Sequence, residues 1–317
     1  MKTKYIQTDQ IRCYDESGKI IPCADSGQDG EYKKNRRLWP TPRFDADENS
    51  VTDLLTGLMW TKNASLGEFP LSWQEALDEV VQMNTFRTFL FNDWRLPERH
   101  ELFSLISHAH INPALPKGHP FSDIFSGYYW TATPCARLPK QAWYVHLGGG
   151  RVFKGMKHGS YMVWPVRSIE ASDNCNNKAG QMGRVKNRFI ENRHTLTDQC
   201  TGLIWTKNAG ITKHPVTWIE ALTVVRNLND HNDYGRNDWR LPNIRELESI
   251  TDMTVHSPAI AVSEIFENIQ PFYWSSTTSA YDPRYAWTLY TKDGNIGVGY
   301  KSHPEFYIWC VCNSSGD

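Results

Sequence analysis

Thr56-Gly57-Leu58-Met59-Trp60-Thr61-Lys62-Asn63-Ala64 returns 145 residues later as Thr201-Gly202-Leu203-Ile204-Trp205-Thr206-Lys207-Asn208-Ala209. An echo at fixed offset marks a duplication, and that decides the fold before any local pattern does. At the same offset Trp73 matches Trp218, and Glu75-Ala76-Leu77 matches Glu220-Ala221-Leu222. Asn92-Asp93-Trp94-Arg95-Leu96-Pro97 then matches Asn237-Asp238-Trp239-Arg240-Leu241-Pro242, and Glu101-Leu102 matches Glu246-Leu247. After a one-residue deletion Tyr129-Trp130 pairs with Tyr273-Trp274, Trp143 with Trp287 and Gly155 with Gly299; a compensating insertion sets Trp164 opposite Trp309. The chain therefore divides into a lead-in (1–49), copy one (50–168), a polar linker (169–193) and copy two (194–317).

A length of 317 residues suits two domains, each able to close its own core. The hydrophobic fraction of 40% and charged fraction of 22% are those of a globular protein, and no apolar run is long enough to span a bilayer. A formal net charge of -1 argues against nucleic acid as the partner, because phosphate neutralisation needs a basic excess or face. The segment Met1 to Asp9 lacks the apolar stretch of a signal peptide, which leaves a cytoplasmic protein or a chain whose leader was removed.

Within each copy the pattern reads strand, helix, helix, then several strands. Ser72-Trp73-Gln74-Glu75 and Thr217-Trp218-Ile219-Glu220 are capping boxes, each predicting a helix of about 12 residues. Pro97 and Pro242 suit the first turn of a second helix, where a missing N–H is harmless. Tyr128–Thr133, Ala142–Leu147, Arg151–Met156 and Tyr161–Arg167 read as strands, with hairpin turns at Gly148-Gly149-Gly150 and Lys292-Asp293-Gly294. Helices followed by an antiparallel meander indicate an α+β fold, two helices and one such sheet per copy.

The residues kept between copies read as framework. Trp60, Trp94, Trp130 and Trp164, with Trp205, Trp239, Trp274 and Trp309, each carry large apolar area and one N–H to satisfy. Arg95 with Glu101, and Arg240 with Glu246, lie close enough to pair across the start of the second helix. Asp53 and Asp198 precede Thr-Gly turns and read as turn formers; calcium is the one cofactor such residues suggest, and no other metal or cofactor is expected. No nucleophile elbow, phosphate loop or zinc-protease helix occurs, and no catalytic residue is assigned. Cys13 and Cys23 are candidates for a small disulfide loop. Cys135, Cys175, Cys200, Cys310 and Cys312 are odd in number, and Cys310 and Cys312 stand where copy one has Pro165 and Arg167. Two cysteines at that spacing on a strand share a face and read as buried small hydrophobes or as partners of other cysteines, with a redox or metal role as the alternative.

The copies differ at the late hairpin. Arg151, Lys154, Lys157 and His158 cluster there, and Arg151, Lys154 and His158 face Asn295, Val298 and Ser302 in copy two. Strand alternation puts Arg151 and Lys157 on one side and Lys154 on the other. With Trp143, Tyr144 and His146 nearby, the cluster reads either as a solvated hairpin or as a site for sulfated or carboxylated polysaccharide. The ligand residues so predicted are Trp143, His146, Arg151, Lys154 and Lys157.

Through Thr-Gly-Leu-x-Trp, Asn-Asp-Trp-Arg-Leu-Pro-x-x-x-Glu-Leu and Tyr-Trp-(Ser/Thr)-(Ser/Ala)-Thr, both copies resemble the Lcl C-terminal domain family of bacterial surface and exported proteins. Cys13-Tyr14-Asp15 and Gly27-Gln28-Asp29-Gly30 resemble the lead-in seen before such domains. The resemblance implies two tandem C-type lectin-like domains, a secreted, periplasmic or cell-surface location, and adhesion to sulfated glycosaminoglycans. It supplies no catalytic residues. Copy two departs from it by ending Trp309-Cys310-Val311-Cys312. The expected function is a non-enzymatic extracellular binding or adhesion module whose partner is a polysaccharide or a protein receptor. The alternatives are an oxidoreductase-like enzyme similar to the formylglycine-generating type, using Cys310 and Cys312, and a structural receptor-binding module.

Overall fold

A computed structural model describes residues 7–35, 39–169 and 188–313, arranged as two compact units. One unit is Leu38–Gly180 and holds copy one; the other joins Met1–Arg37 to Gln181–Asp317. Residues 7–35 of the lead-in thus fold with copy two, although copy one follows them in the chain, while its later part, with Phe44–Ala46, folds with copy one.

The lead-in is a short hairpin, β1 (Cys13–Tyr14) against β2 (Ile20–Ile21), followed by a 3-10 helix over Asp29–Asn35. Asp15 accepts from the Lys19 N–H and Gly18 takes a left-handed φ of 86°, which closes the turn. A disulfide joins Cys13 to Cys23.

Copy one runs β3 (Phe44–Ala46), β4 (Ser50–Asp53), β5 (Leu58–Thr61), α1 (Trp73–Thr85), α2 (Arg99–Ser104), β6 (Tyr128–Pro134), β7 (Gln141–His146), β8 (Val152–Met156) and β9 (Val166–Ser168). Copy two repeats the order as β10 (Phe189–Glu191), β11 (Thr195–Asp198), β12 (Leu203–Thr206), α3 (Trp218–Asp230), α4 (Ile244–Ser249), β13 (Phe272–Thr278), β14 (Tyr285–Tyr290), β15 (Asn295–Tyr300) and β16 (Val311–Asn313). In each, the last strand returns to pair with the third, giving the orders β3-β4-β5-β9 and β10-β11-β12-β16. β6, β7 and β8 form an antiparallel meander, as do β13, β14 and β15, and each first pairing carries a register shift. The fold is α+β. Expected strand Tyr161–Arg167 shortens to β9, because the backbone of Tyr161 pairs with Leu71 and Met162 lies against Tyr129.

α1 forms because Ser72 accepts from the Glu75 N–H while the Glu75 carboxylate accepts from Ser72 N, satisfying two donors left over at a helix start. Ala76, Val80 and Met83 recur at helical spacing and face the core. Thr217 and Glu220 do the same for α3. The second helix starts later than the prolines suggest: Pro97 and Pro242 lie outside it, and the caps are Glu98 and Asn243. A capping box, with Glu101 or Glu246 at the third position, sets the start instead.

Eight framework tryptophans are buried, and six pass their indole N–H to a backbone carbonyl at matched places in the two copies. Trp94 and Trp239 donate to Thr88 and Asp233, Trp130 and Trp274 to Leu71 and Val216, and Trp164 and Trp309 to Thr61 and Thr206. The acceptors lie in short 3-10 turns, in loops and at strand ends, so each indole pins a connecting segment or strand end to the core. Arg43–Asp53 and Arg188–Asp198 are two-point buried pairs, each arginine also donating to the backbone of Ser104 or Ser249. Arg95 and Arg240 grip Glu101 and Glu246 through both guanidinium nitrogens at 2.6 and 2.7 Å.

Candidate functional site

The β7–β8 hairpin carries the predicted ligand residues, and its register sorts them. Trp143 pairs with Lys154, Tyr144 with Phe153, and the His146 N–H donates to the Arg151 carbonyl. Residues directly opposite share a face, so Trp143 and Lys154 lie on one side and Tyr144, His146, Arg151 and Phe153 on the other.

The first side is interior. Trp143 is 1% exposed under the Arg99 guanidinium, and Lys154 is buried with its ammonium 5.2 Å from the Trp143 ring. Neither offers a surface for sugar stacking, which corrects the prediction for both. Alternation sent them inward because their strand face packs on the domain core.

The second side is a contiguous aromatic face. Tyr128 lies 4.8 Å from Tyr144, 4.8 Å from His146 and 5.4 Å from Tyr161, while Tyr144 lies 4.9 Å from Tyr161 and 6.4 Å from Phe153. Tyr128 and Phe153 are 42% and 48% exposed, and Arg151 is exposed beside them. Burial, then the charge of Arg151, holds the His146 imidazole below its ordinary range, which favours its neutral form. Burial and the neighbouring tyrosines push the Tyr144 phenol up to about 12, so it stays a hydrogen-bond donor. Gly155 makes room for Tyr161: a methyl group there would lie 2.6 Å from the ring. Copy two keeps a smaller aromatic group there, with Phe272 5.2 Å from Tyr290 and 6.0 Å from Phe306, but Thr288, Gly297 and Asn295 replace Tyr144, Phe153 and Arg151. Tyr128, Phe153 and Tyr161 are the participants that the sequence reading missed. The signal was available as alternation across the paired strands.

Lys157 stands apart from Arg151, about 20 Å along the strand direction at 3.3 Å per residue. Its ammonium sits 4.1 Å from the Trp73 ring, and in copy two Lys301 sits 4.1 Å from the Trp218 ring. Lys157 therefore belongs to a feature common to both copies, whereas Arg151 belongs to copy one.

Cys310 and Cys312 carry free thiols inside the copy-two core, packed with Trp239, Leu241 and Trp274. Burial raises both, Cys312 to about 12, so neither is a thiolate at neutral pH. Cys135 and Cys200 are likewise buried, and Cys175 lies outside the described residues. The carboxylates of Asp53 and Asp198 are taken up by arginine and by the Leu55 and Cys200 N–H groups. Among the described residues no group of three or more His, Cys, Asp or Glu converges as a metal site, and no helix is long and apolar enough to cross a membrane.

The sequence pattern of the Lcl C-terminal domain matches residues 49–167 and again residues 194–312. The chain belongs to the Lcl C-terminal domain family. Each Lcl match runs from the strand before the Thr-Gly turn to the returning strand, β9 or β16, and leaves out only the edge strand, β3 or β10, of its α+β copy. The lead-in lies outside both matched stretches. No curated protein matches the chain.

Proposed function

We propose that this chain is a non-enzymatic binding module of the extracellular space or cell envelope, and that the aromatic face of copy one takes an acidic polysaccharide. The carrying observation is the array of exposed Tyr128 and Phe153 with half-buried Tyr144 and Tyr161, and the Arg151 guanidinium at its edge. Flat rings stack on the apolar faces of sugars, and a guanidinium pairs bidentately with sulfate or carboxylate. Two helices preceding an antiparallel meander support a C-type lectin-like architecture. The Cys13–Cys23 disulfide supports an oxidising compartment. Protonated, buried thiols at Cys310 and Cys312 remove the support for cysteine chemistry.

The test is binding of the purified protein to sulfated, carboxylated and neutral glycans at low and moderate salt. Sulfated chains bind, and affinity falls as salt rises, because the contact is ionic. Arg151→Ala weakens binding about tenfold, the loss of a charge-assisted hydrogen bond. Phe153→Ala weakens it about three- to tenfold through lost stacking. Equal affinity for neutral and sulfated chains, or no glycan binding at any salt, sinks the proposal.

A further inference from the structure

The two copies share a second face whose exposure differs. In copy two it consists of Trp218, Leu222, Arg240 and Lys301, all buried. The lead-in covers it: Lys301 Nζ lies 3.4 Å from the carbonyl oxygens of Tyr14 and Asp15, and the Tyr32 ring lies 5.5 Å from the Arg240 guanidinium. Gly27 passes so close that an added methyl group would sit 3.2 Å from Leu222. The Asp29 carboxylate accepts from Thr277 at 2.8 Å, Gln10 exchanges two hydrogen bonds with the Thr278 backbone, and Arg226 donates to the Asp25 carbonyl.

Copy one keeps the same four residues at the matched positions, as Trp73, Leu77, Arg95 and Lys157. Their internal arrangement is also kept, with Lys157 over Trp73 and Arg95 clamped by Glu101. Yet Trp73, Leu77 and Lys157 are only half-buried, and the Arg95 side chain is 38% exposed against 10% for Arg240. One helical turn on from Leu77, Val81 is 61% exposed where copy two has Arg226. An apolar stripe along a helix beside a lysine and an arginine, all present in covered form elsewhere in the chain, is a recognition surface that has no occupant among the described residues.

We propose that the Trp73–Leu77–Arg95–Lys157 face docks a compact, turn-containing polypeptide segment of another protein, bound as copy two binds the lead-in. The occupant presents two adjacent backbone carbonyls to Lys157, a glycine to Leu77 and an aromatic ring to Arg95. One difference between the copies sharpens its chemistry. Glu98, which stands where copy two has Asn243, accepts from Thr133 and so fills the position that Asp29 takes beside Thr277. The partner segment therefore carries a neutral residue in place of Asp29, since a second carboxylate there meets Glu98. Val81 in place of Arg226 calls for an apolar neighbour.

The probe is a synthetic peptide of residues 7–35 with the Cys13–Cys23 disulfide closed and Asp29→Asn, titrated calorimetrically onto the intact chain. Saturable one-to-one binding is expected. Lys157→Ala and Val81→Asp, both changes at solvent-facing positions, each weaken it about tenfold, while Arg151→Ala and Lys301→Ala leave it unchanged. The peptide with Asp29 retained binds more weakly. Absence of saturable binding at millimolar peptide, or binding that responds to Lys301→Ala rather than to Lys157→Ala, overturns the proposal. The insensitivity to Arg151→Ala keeps this outcome independent of glycan binding.

Discussion

Arg188 and Asp198 are both withdrawn from solvent, and the guanidinium spans the carboxylate and the Ser249 carbonyl at the end of α4. Removing one partner leaves an uncompensated buried charge, so Arg188→Ala should destabilise copy two by roughly 3 to 5 kcal/mol, as read from denaturant midpoints. An unchanged midpoint would mean that the pair is not buried as described. Lys301 is the other exceptional charge, lowered by burial to about 7 from an ordinary 10.5. Below about pH 7 it is protonated folded and unfolded alike, and the burial penalty is felt in full. Between that pH and 10.5 the unfolded chain holds more protons than the native one, so stability rises with pH. Unfolding at pH 7, 8.5 and 10 should show that rise in the parent chain and a flatter profile in Lys301→Met; identical slopes would refute the assignment. These two residues were not singled out in the sequence, since a lysine or arginine in a list of charges carries no mark of its burial.

At the scale of elements, the capping boxes of α1 and α3 were legible because the cap is local: a hydroxyl and a carboxylate three residues apart suffice. Ser72→Ala should lower stability by about 1 kcal/mol, measured by chemical unfolding. A loss below the error of the measurement would assign the helix start to packing alone. The late hairpin was legible in its strands and only half legible in its faces. Lys154 was set opposite Arg151 by alternation, yet Trp143 was set with the ligand groups and lies in the core, because which face points inward depends on what packs beneath it. Gly299 shows how tight that packing is. A methyl group there would lie 2.3 Å from Phe306 and 2.7 Å from Trp274, so Gly299→Ala should destabilise copy two by roughly 1 to 3 kcal/mol.

At the scale of the whole chain, the lead-in and copy two form one unit although copy one separates them in sequence. Gln10 bonds Thr278 at a separation of 268 positions, and Asp29 bonds Thr277 at a separation of 248. Closing the Cys13–Cys23 loop removes entropy from the free lead-in, roughly 2 to 3 kcal/mol for a loop of this size. Cys13→Ser with Cys23→Ser should therefore loosen the lead-in from copy two. Acylation of Lys301 by an amine-reactive reagent, mapped by mass spectrometry, should then rise toward that of Lys157. If Lys301 stays protected, the remaining contacts hold the lead-in without the disulfide.

The sequence by itself determined the duplication, the α+β order, the capped helices, the tryptophan framework and the Arg95–Glu101 spacing. All of these are written in local pattern or in self-similarity at one offset. Only the tertiary structure decided which side of the β7–β8 hairpin meets solvent, that Cys310 and Cys312 are core, and that the lead-in covers Trp218 and Lys301 while Trp73 and Lys157 stay half-exposed. Burial and long-range pairing depend on elements far apart in the chain, and no residue carries in its own neighbourhood a record of what will cover it.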